Sequence, residues 1–187
     1  MATADWKTNL PTNLNYLSPV NFDLLINKLP NTRYFCVGAT LPNINFSEAA
    51  LDTKLAISSY VVGDKITFDP LNLRFIVDED MENYKEIFNW IMALGPGLDA
   101  EDFINLTGVT KSSSGFDTRT GDMKKMYSDA TLIINTSSNN PNIEFTFEDC
   151  FPTSLGAITL ATDSAEVEYV VADLTLRYTL FKIRTST

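Results

Sequence analysis

Residues 71–94 read LNLRFIVDEDMENYKEIFNWIMAL, and two periodicities meet there. Leu71, Leu73, Phe75 and Val77 alternate with Asn72, Arg74, Ile76 and Asp78, which places one set on each face of a strand. After the acidic run Asp78-Glu79-Asp80, the residues Tyr84, Ile87, Phe88, Ile91 and Leu94 recur at helical spacing. Asp80 stands where a cap belongs, Glu82 lies in the first turn, and Gly95-Pro96 closes the far end. A lone amphipathic helix must bury its face, and the rest of the chain offers it only a sheet. The expectation is therefore a mainly β chain with one flanking helix over about 80–94.

Strand signals spread outward from this segment. Phe22, Leu24 and Ile26 alternate within 21–29, which Pro30-Asn31 ends, and a second run over 34–41 stops at Pro42. Leu55, Ile57 and Ser59 lead into Val61-Val62, Gly63-Asp64 reads as a turn, and Ile66 and Phe68 follow. In the last third, 130–135 and 143–151 are joined by a strong reversal signal over 136–142. Cys150 to Gly156 bends the chain into 157–160. Val167, Tyr169 and Val171 alternate in one phase, while Leu174, Leu176, Tyr178 and Leu180 alternate in the other. That change of phase predicts a bulge near Ala172-Asp173. Residues 1–19 read as a polar arm, and 20–187 as a single β-domain. A loop excursion over 97–128 carries a short helical piece near 99–106.

Composition narrows the function. The 187 residues include 14 basic and 24 acidic ones, a net charge of −10, and no histidine. This disfavours a nucleic-acid clamp, and it removes the usual general base and the commonest metal ligand. No apolar run approaches the roughly 20 residues that span a bilayer, so membrane insertion is not expected. Residues 1–10 lack the apolar core of a signal peptide. Cys36 and Cys150 read as half-buried thiols rather than a disulfide scaffold. No phosphate loop, nucleophile elbow, zinc set or calcium loop is present in the sequence. The acids Asp78, Glu79, Asp80 and Glu82 fit a charged helix N-terminus better than a cation site. No catalytic residue, cofactor or metal is expected.

In order and spacing, several segments resemble a known family. Tyr34 to Pro42, Gly63 to Asp69 leading into Leu73 to Asp80, the helix with Phe88-Asn89-Trp90, Phe151 to Gly156 and the final run from Asp173 to Phe181 are similar to the tail tube protein of T-even-like, contractile-tailed bacteriophages. The resemblance covers about residues 20 to 183. It implies an antiparallel β-sandwich or barrel with a helix on one side and no enzymatic activity. It implies hexameric rings stacked into an inner tube, with β-hairpins from all copies lining a lumen through which the genome is ejected. The implied partners are further copies of the chain, the tail sheath, a baseplate or tube initiator and a tail terminator. Genomic DNA would pass without specific binding, in a virion assembled in the host cytoplasm. A net negative lumen would repel phosphates, and Asp64 and Asp69 are the lumen candidates. The long loop and polar arm are expected to order on the next ring. Other readings stay open: a baseplate or tube-end paralogue, a tube protein of a related contractile injection or type VI secretion system, or a small-ligand barrel or enzyme, which the missing catalytic groups disfavour.

Overall fold

The computed structural model describes residues 17, 19–51, 59–95, 100–108, 110–112, 115–117, 122–160 and 169–185. Most of the expected arm, and Leu55, Ile57 and Val167, lie outside the described residues. Seven strands make the main sheet: β1 (Phe22–Ile26), β2 (Cys36–Thr40), β5 (Leu71–Ile76), β8 (Ser128–Asn135), β9 (Pro141–Leu155), β10 (Val171–Arg177) and β11 (Leu180–Thr185). Their order is β1-β8-β9-β10-β5-β2, with β11 also paired to β9, and every pairing is antiparallel. The sheet is not closed: β1 and β2 end the order, and no pairing joins them among the described residues. A separate two-stranded ribbon is formed by β3 (Ile44–Leu51) and β4 (Ser59–Phe68).

The fifteen residues of β9 tie the sheet together. Ile143 to Glu148 pair with β11 and Pro141 to Cys150 with β8, whereas Phe151 to Leu155 pair with β10. The changeover falls beside Asp149, which has φ 56° and whose N–H donates to Asp129 Oδ1 at 3.2 Å. The expected bend over Cys150 to Gly156 is thus a kink at Asp149, after which the strand runs on through Pro152 to Leu155. Residues 157–160 form no strand. The bulge expected near Ala172-Asp173 is absent as well. Ala172, Leu174 and Leu176 all point inward in one phase, and the register shift against β9 falls between Thr175 and Leu176. The second phase is thus that of β10 itself, and it ends at a break at Tyr178-Thr179, after which Phe181 and not Leu180 is the half-buried residue of β11.

Inward residues of both halves of the sheet form one contiguous cluster with Ile87 and Trp90 of α2 (Glu82–Leu94). The helix lies where the sequence places it, but its buried face is rotated: Asn83, Ile87, Trp90 and Ala93 are buried, while Phe88 is 48 % exposed. A polar lock explains the rotation. Asn83 Nδ2 donates to Ile76 O at 2.8 Å, its Oδ1 accepts from Asp78 N–H at 3.4 Å, and its own N–H donates to Asp78 Oδ1 at 3.3 Å. Asp78, not Asp80, therefore serves the first turn, and Met81 takes a left-handed φ of 55° between them. At the other end, Trp90 Nε1 donates to Met126 O at 3.1 Å.

Two expectations about regular structure need correction. Residues 32–35 form a single helical turn, α1 (Thr32–Phe35), so β2 begins only at Cys36. The excursion over 97–128 contains a second helix, α3 (Ala100–Thr107), close to the expected piece. It also contains a small hairpin of β6 (Thr110–Ser112) with β7 (Gly115–Asp117), and a 3-10 turn at Met123–Met126. Replacing Asn83 with Ala leaves Ile76 O and the Asp78 N–H without partners in the interior. We expect Asn83→Ala to cost about 1–3 kcal/mol in urea unfolding, whereas Phe88→Ala should stay within about 0.5 kcal/mol of the parent.

Candidate functional site

Among the described residues the ribbon of β3 and β4 pairs with no other strand. Its register sets Ile44 opposite Phe68, Phe46 opposite Ile66, Glu48 opposite Val62 and Ala50 opposite Tyr60. Opposed residues share a face, so these pairs make one side apolar apart from Glu48. The alternate pairs, Asn45 with Thr67, Ala49 with Val61 and Leu51 with Ser59, make the other side, which is polar near the root. Both sides face water. On the apolar side Ile44, Phe46, Tyr60 and Ile66 are more than half exposed, and Val62 is 82 % exposed. An isolated two-stranded ribbon is marginal in water, and large apolar groups left in the open mark an interaction surface.

What holds the ribbon out is an aromatic clamp at its root. Phe68 meets Phe181 edge-on at 5.3 Å between ring centroids and lies 6.2 Å from Tyr178. Both of those rings contact Phe147, at 5.7 and 5.0 Å, and Phe147 is fully buried. Hydrogen bonds reinforce the stack: Tyr178 Oη donates to Asp69 O at 2.9 Å, and Arg177 Nη1 to Phe68 O at 3.2 Å. Burial, with the Asp69 carboxylate adding to it, pushes the Tyr178 phenol up to about 12. It thus remains a donor at any ordinary pH.

Midway along, the register jumps from Phe46↔Ile66 to Glu48↔Val62, so Gly63, Asp64 and Lys65 together oppose Ser47. Gly63-Asp64 is therefore a bulge inside a ten-residue strand and not the expected turn. The bulge requires glycine: a Cβ at position 63 would lie 2.2 Å from Ser47 Oγ and 2.5 Å from Ser47 O. Ser47 Oγ in turn accepts from the Lys65 N–H at 3.0 Å.

The two expected site acids are separated by this arrangement. Asp69 follows β4 directly; its Oδ1 accepts from Asn45 Nδ2 at 3.4 Å and its N–H donates to Asn43 O at 3.1 Å, which ties it to the polar side. Asp64 is exposed in the bulge and, by alternation with Val62 and Ile66, falls on the apolar side. Sequence reasoning missed β3 and hence Ile44 and Phe46. The alternation Ile44, Asn45, Phe46, Ser47 was the available signal, obscured by the prolines and asparagines before it.

Elsewhere the chemistry is quiet. Burial raises the Cys36 thiol to about 11 and the Cys150 thiol to about 12, the latter helped by the Asp129 and Asp149 carboxylates. That is the reverse of nucleophile activation. Among the described residues no three His, Cys, Asp or Glu side chains group as metal ligands, and no helix is long and apolar enough to cross a membrane.

A family model described as phage tail tube protein matches residues 7–183. No curated protein sequence matches the chain. Among solved structures, a chain in the anti-feeding prophage cap, a tube-terminating cap, is similar at TM-score 0.63 with 15 % identity, covering 100 % of both chains. A chain in the PVC sheath/tube terminator of an extracellular contractile injection system is similar at TM-score 0.54 with 14 % identity, covering 92 % of this chain and 99 % of that one. A chain in the PVC sheath-tube complex in the extended state is similar at TM-score 0.52 with 12 % identity, covering 99 % of this chain and 100 % of that one. At these identities the likeness is one of fold.

Two outcomes follow from the site. Gly63→Val drives a side chain into Ser47, so the ribbon must open at the bulge. We expect the variant to lose amide protection across Gly63–Lys65 and Ser47 in hydrogen exchange while the main sheet keeps its own. The Cys150 thiol, raised from 9.0 to about 12, stays protonated in the fold longer than in the unfolded chain. Its contribution is thus complete below pH 9 and is lost as pH rises from 9 toward 12. Urea unfolding should show a lower stability at pH 10.5 than at pH 8, by on the order of 2 kcal/mol for this thiol and nearly all of it above pH 9, and Cys150→Ala should lessen the fall.

Proposed function

The chain belongs to the phage tail tube protein family, and from that membership we propose that six copies close into a ring and that rings stack into the inner tube of a contractile tail. The observation that carries this reading is the ribbon. It is anchored at its root, apolar on one side, polar near the root on the other, and covered on neither among the described residues. Ribbons of neighbouring copies set side by side would bury the apolar sides against the body of the ring, turn the polar sides to the axis and satisfy the open edges of β3 and β4. The genome would leave along that axis without specific binding. Of the two acids, Asp69 goes with the polar side and is assigned to the lumen, whereas Asp64 goes with the apolar side and is assigned to the boundary between copies. The sheath would surround the tube, with a baseplate or initiator at one end and a terminator at the other, in a virion assembled in the host cytoplasm. The single β-domain over 20–187, preceded by an arm over 1–19, is part of the same reading.

A second reading has its own support. The likeness to a tube-terminating cap spans both chains completely and exceeds the likeness to the chain of the sheath-tube complex. It favours a tube-end paralogue, or a tube subunit of a contractile injection system.

Electron microscopy of the purified chain, concentrated or seeded with tube fragments, separates the two. Long hollow filaments are expected of a repeating subunit, and isolated rings of an end protein. Phe46→Asp with Ile66→Asp, both on the exposed apolar side, should leave the thermal midpoint within a few degrees of the parent and reduce assembled mass at least about tenfold, as a charge buried without a partner would. Filaments from the double variant equal to those of the parent would refute the ribbon as the joint.

A further inference from the structure

We propose that Lys65 is the cationic group the ribbon turns toward the axis, and that its ammonium meets the phosphates of a passing nucleic acid. This deepens the reading above and rests on it. Register and alternation select Lys65: along the described parts of β3 and β4 this side carries Asn45, Ser47, Lys65 and Thr67 near the root and Ala49, Leu51, Ser59 and Val61 further out, while the ionisable residues Glu48 and Asp64 fall on the apolar side. The bulge corroborates the assignment. The missing Cβ of Gly63 points at Ser47, so Gly63 and Ser47 share a side, and Lys65, two residues on, shares it with them. Lys65 is exposed and has no ion-pair partner among the described residues.

The location of the acids points the same way. Residues 78–107, the helical layer with its leading acidic run, hold eight acidic residues against the single base Lys85, a net of −7 out of the −10 of the whole chain. The excess negative charge is thus carried by that stretch of the sequence and not by the described strands of the ribbon. A conduit wall built from this side is amide, hydroxyl and ammonium near the root, where the Asp69 carboxylate accepts from Asn45 and offsets the ammonium in charge, with the apolar Ala49, Leu51 and Val61 further out. One ammonium per copy is too few for tight binding. Phosphate contacts gain strength by number and fade with salt, so the contact is transient and the wall does not expel an anion.

Tubes assembled from Lys65→Cys test the placement. A small maleimide should label them along their length, and a polyethylene-glycol maleimide too wide for the lumen should not, although both label the free subunit. Ile66→Cys, on the other side, should react in the free subunit and be protected from both reagents in tubes. Thr67→Cys serves as the second luminal probe if Lys65→Cys assembles poorly. Retention of a short fluorescent DNA oligonucleotide tests the cargo: Lys65→Glu tubes should hold several-fold less than parent tubes at low salt and the same amount at high salt. Bulky reagent reaching Lys65→Cys along intact tubes, labelling of Ile66→Cys in its place, or equal DNA retention by both tubes overturns this proposal alone. Failure of the parent chain to form tubes overturns the assembly reading and this proposal with it.

Discussion

Phe68 against Phe181 and Tyr178 is the contact on which the rest of the molecule's purpose depends. A two-stranded ribbon is marginal in water, and among the described residues β3–β4 receives no help from a neighbouring strand. The clamp gives it a fixed root in the main core through Phe147. Beyond that root the apolar side of the ribbon runs out from the core as a continuation of it. Ile44 and Ile66 lie next in line after Phe68, and Ile183 of β11 is likewise exposed, at 60 %. The single chain therefore presents a core that does not finish within it, which fits a member of a tube-forming family.

Charge is arranged to the same end. Packing many copies of an acidic chain together sets like charges against one another, and the opposition is least where acids lie away from the joint. The helical layer takes most of the negative charge, and the ribbon takes little. Three ion pairs among the described residues, Arg33–Asp23, Arg74–Asp173 and Lys182–Glu148, are exposed. Pairs of that kind contribute little to stability. The subunit is held by its apolar interior and by a few buried polar bonds such as those of Asn83.

The sequence was informative where one element sets its own period. The alternation of Leu71, Leu73 and Phe75 gave β5, and the spacing after Asp80 gave α2 to within two residues. It failed where the partner decides. Phe88 has helical spacing as good as that of Trp90, but Trp90 Nε1 finds Met126 O and Asn83 finds Ile76 O, so the helix turns Phe88 outward. Gly63-Asp64 has the composition of a turn, and only the pairing with Ser47 makes it a bulge. Val171 reads as an inward position by composition, but β10 keeps the phase of Ala172, Leu174 and Leu176 opposite Phe75, Leu73 and Leu71, which leaves Val171 on the other face. The ribbon itself was half legible: exposure on both sides leaves no alternation between core and solvent to mark which side matters.

The fifteen-residue β9 has a mechanical consequence. Since β8 and β11 bond one part of it and β10 bonds the other, and Asp149 merely turns it without interrupting the chain, tension along β9 is shared by ladders on both sides of the kink. Such ladders are loaded in shear, all rungs together, instead of peeling one rung at a time. A body built around a strand of this kind transmits thrust along its length as one stiff piece.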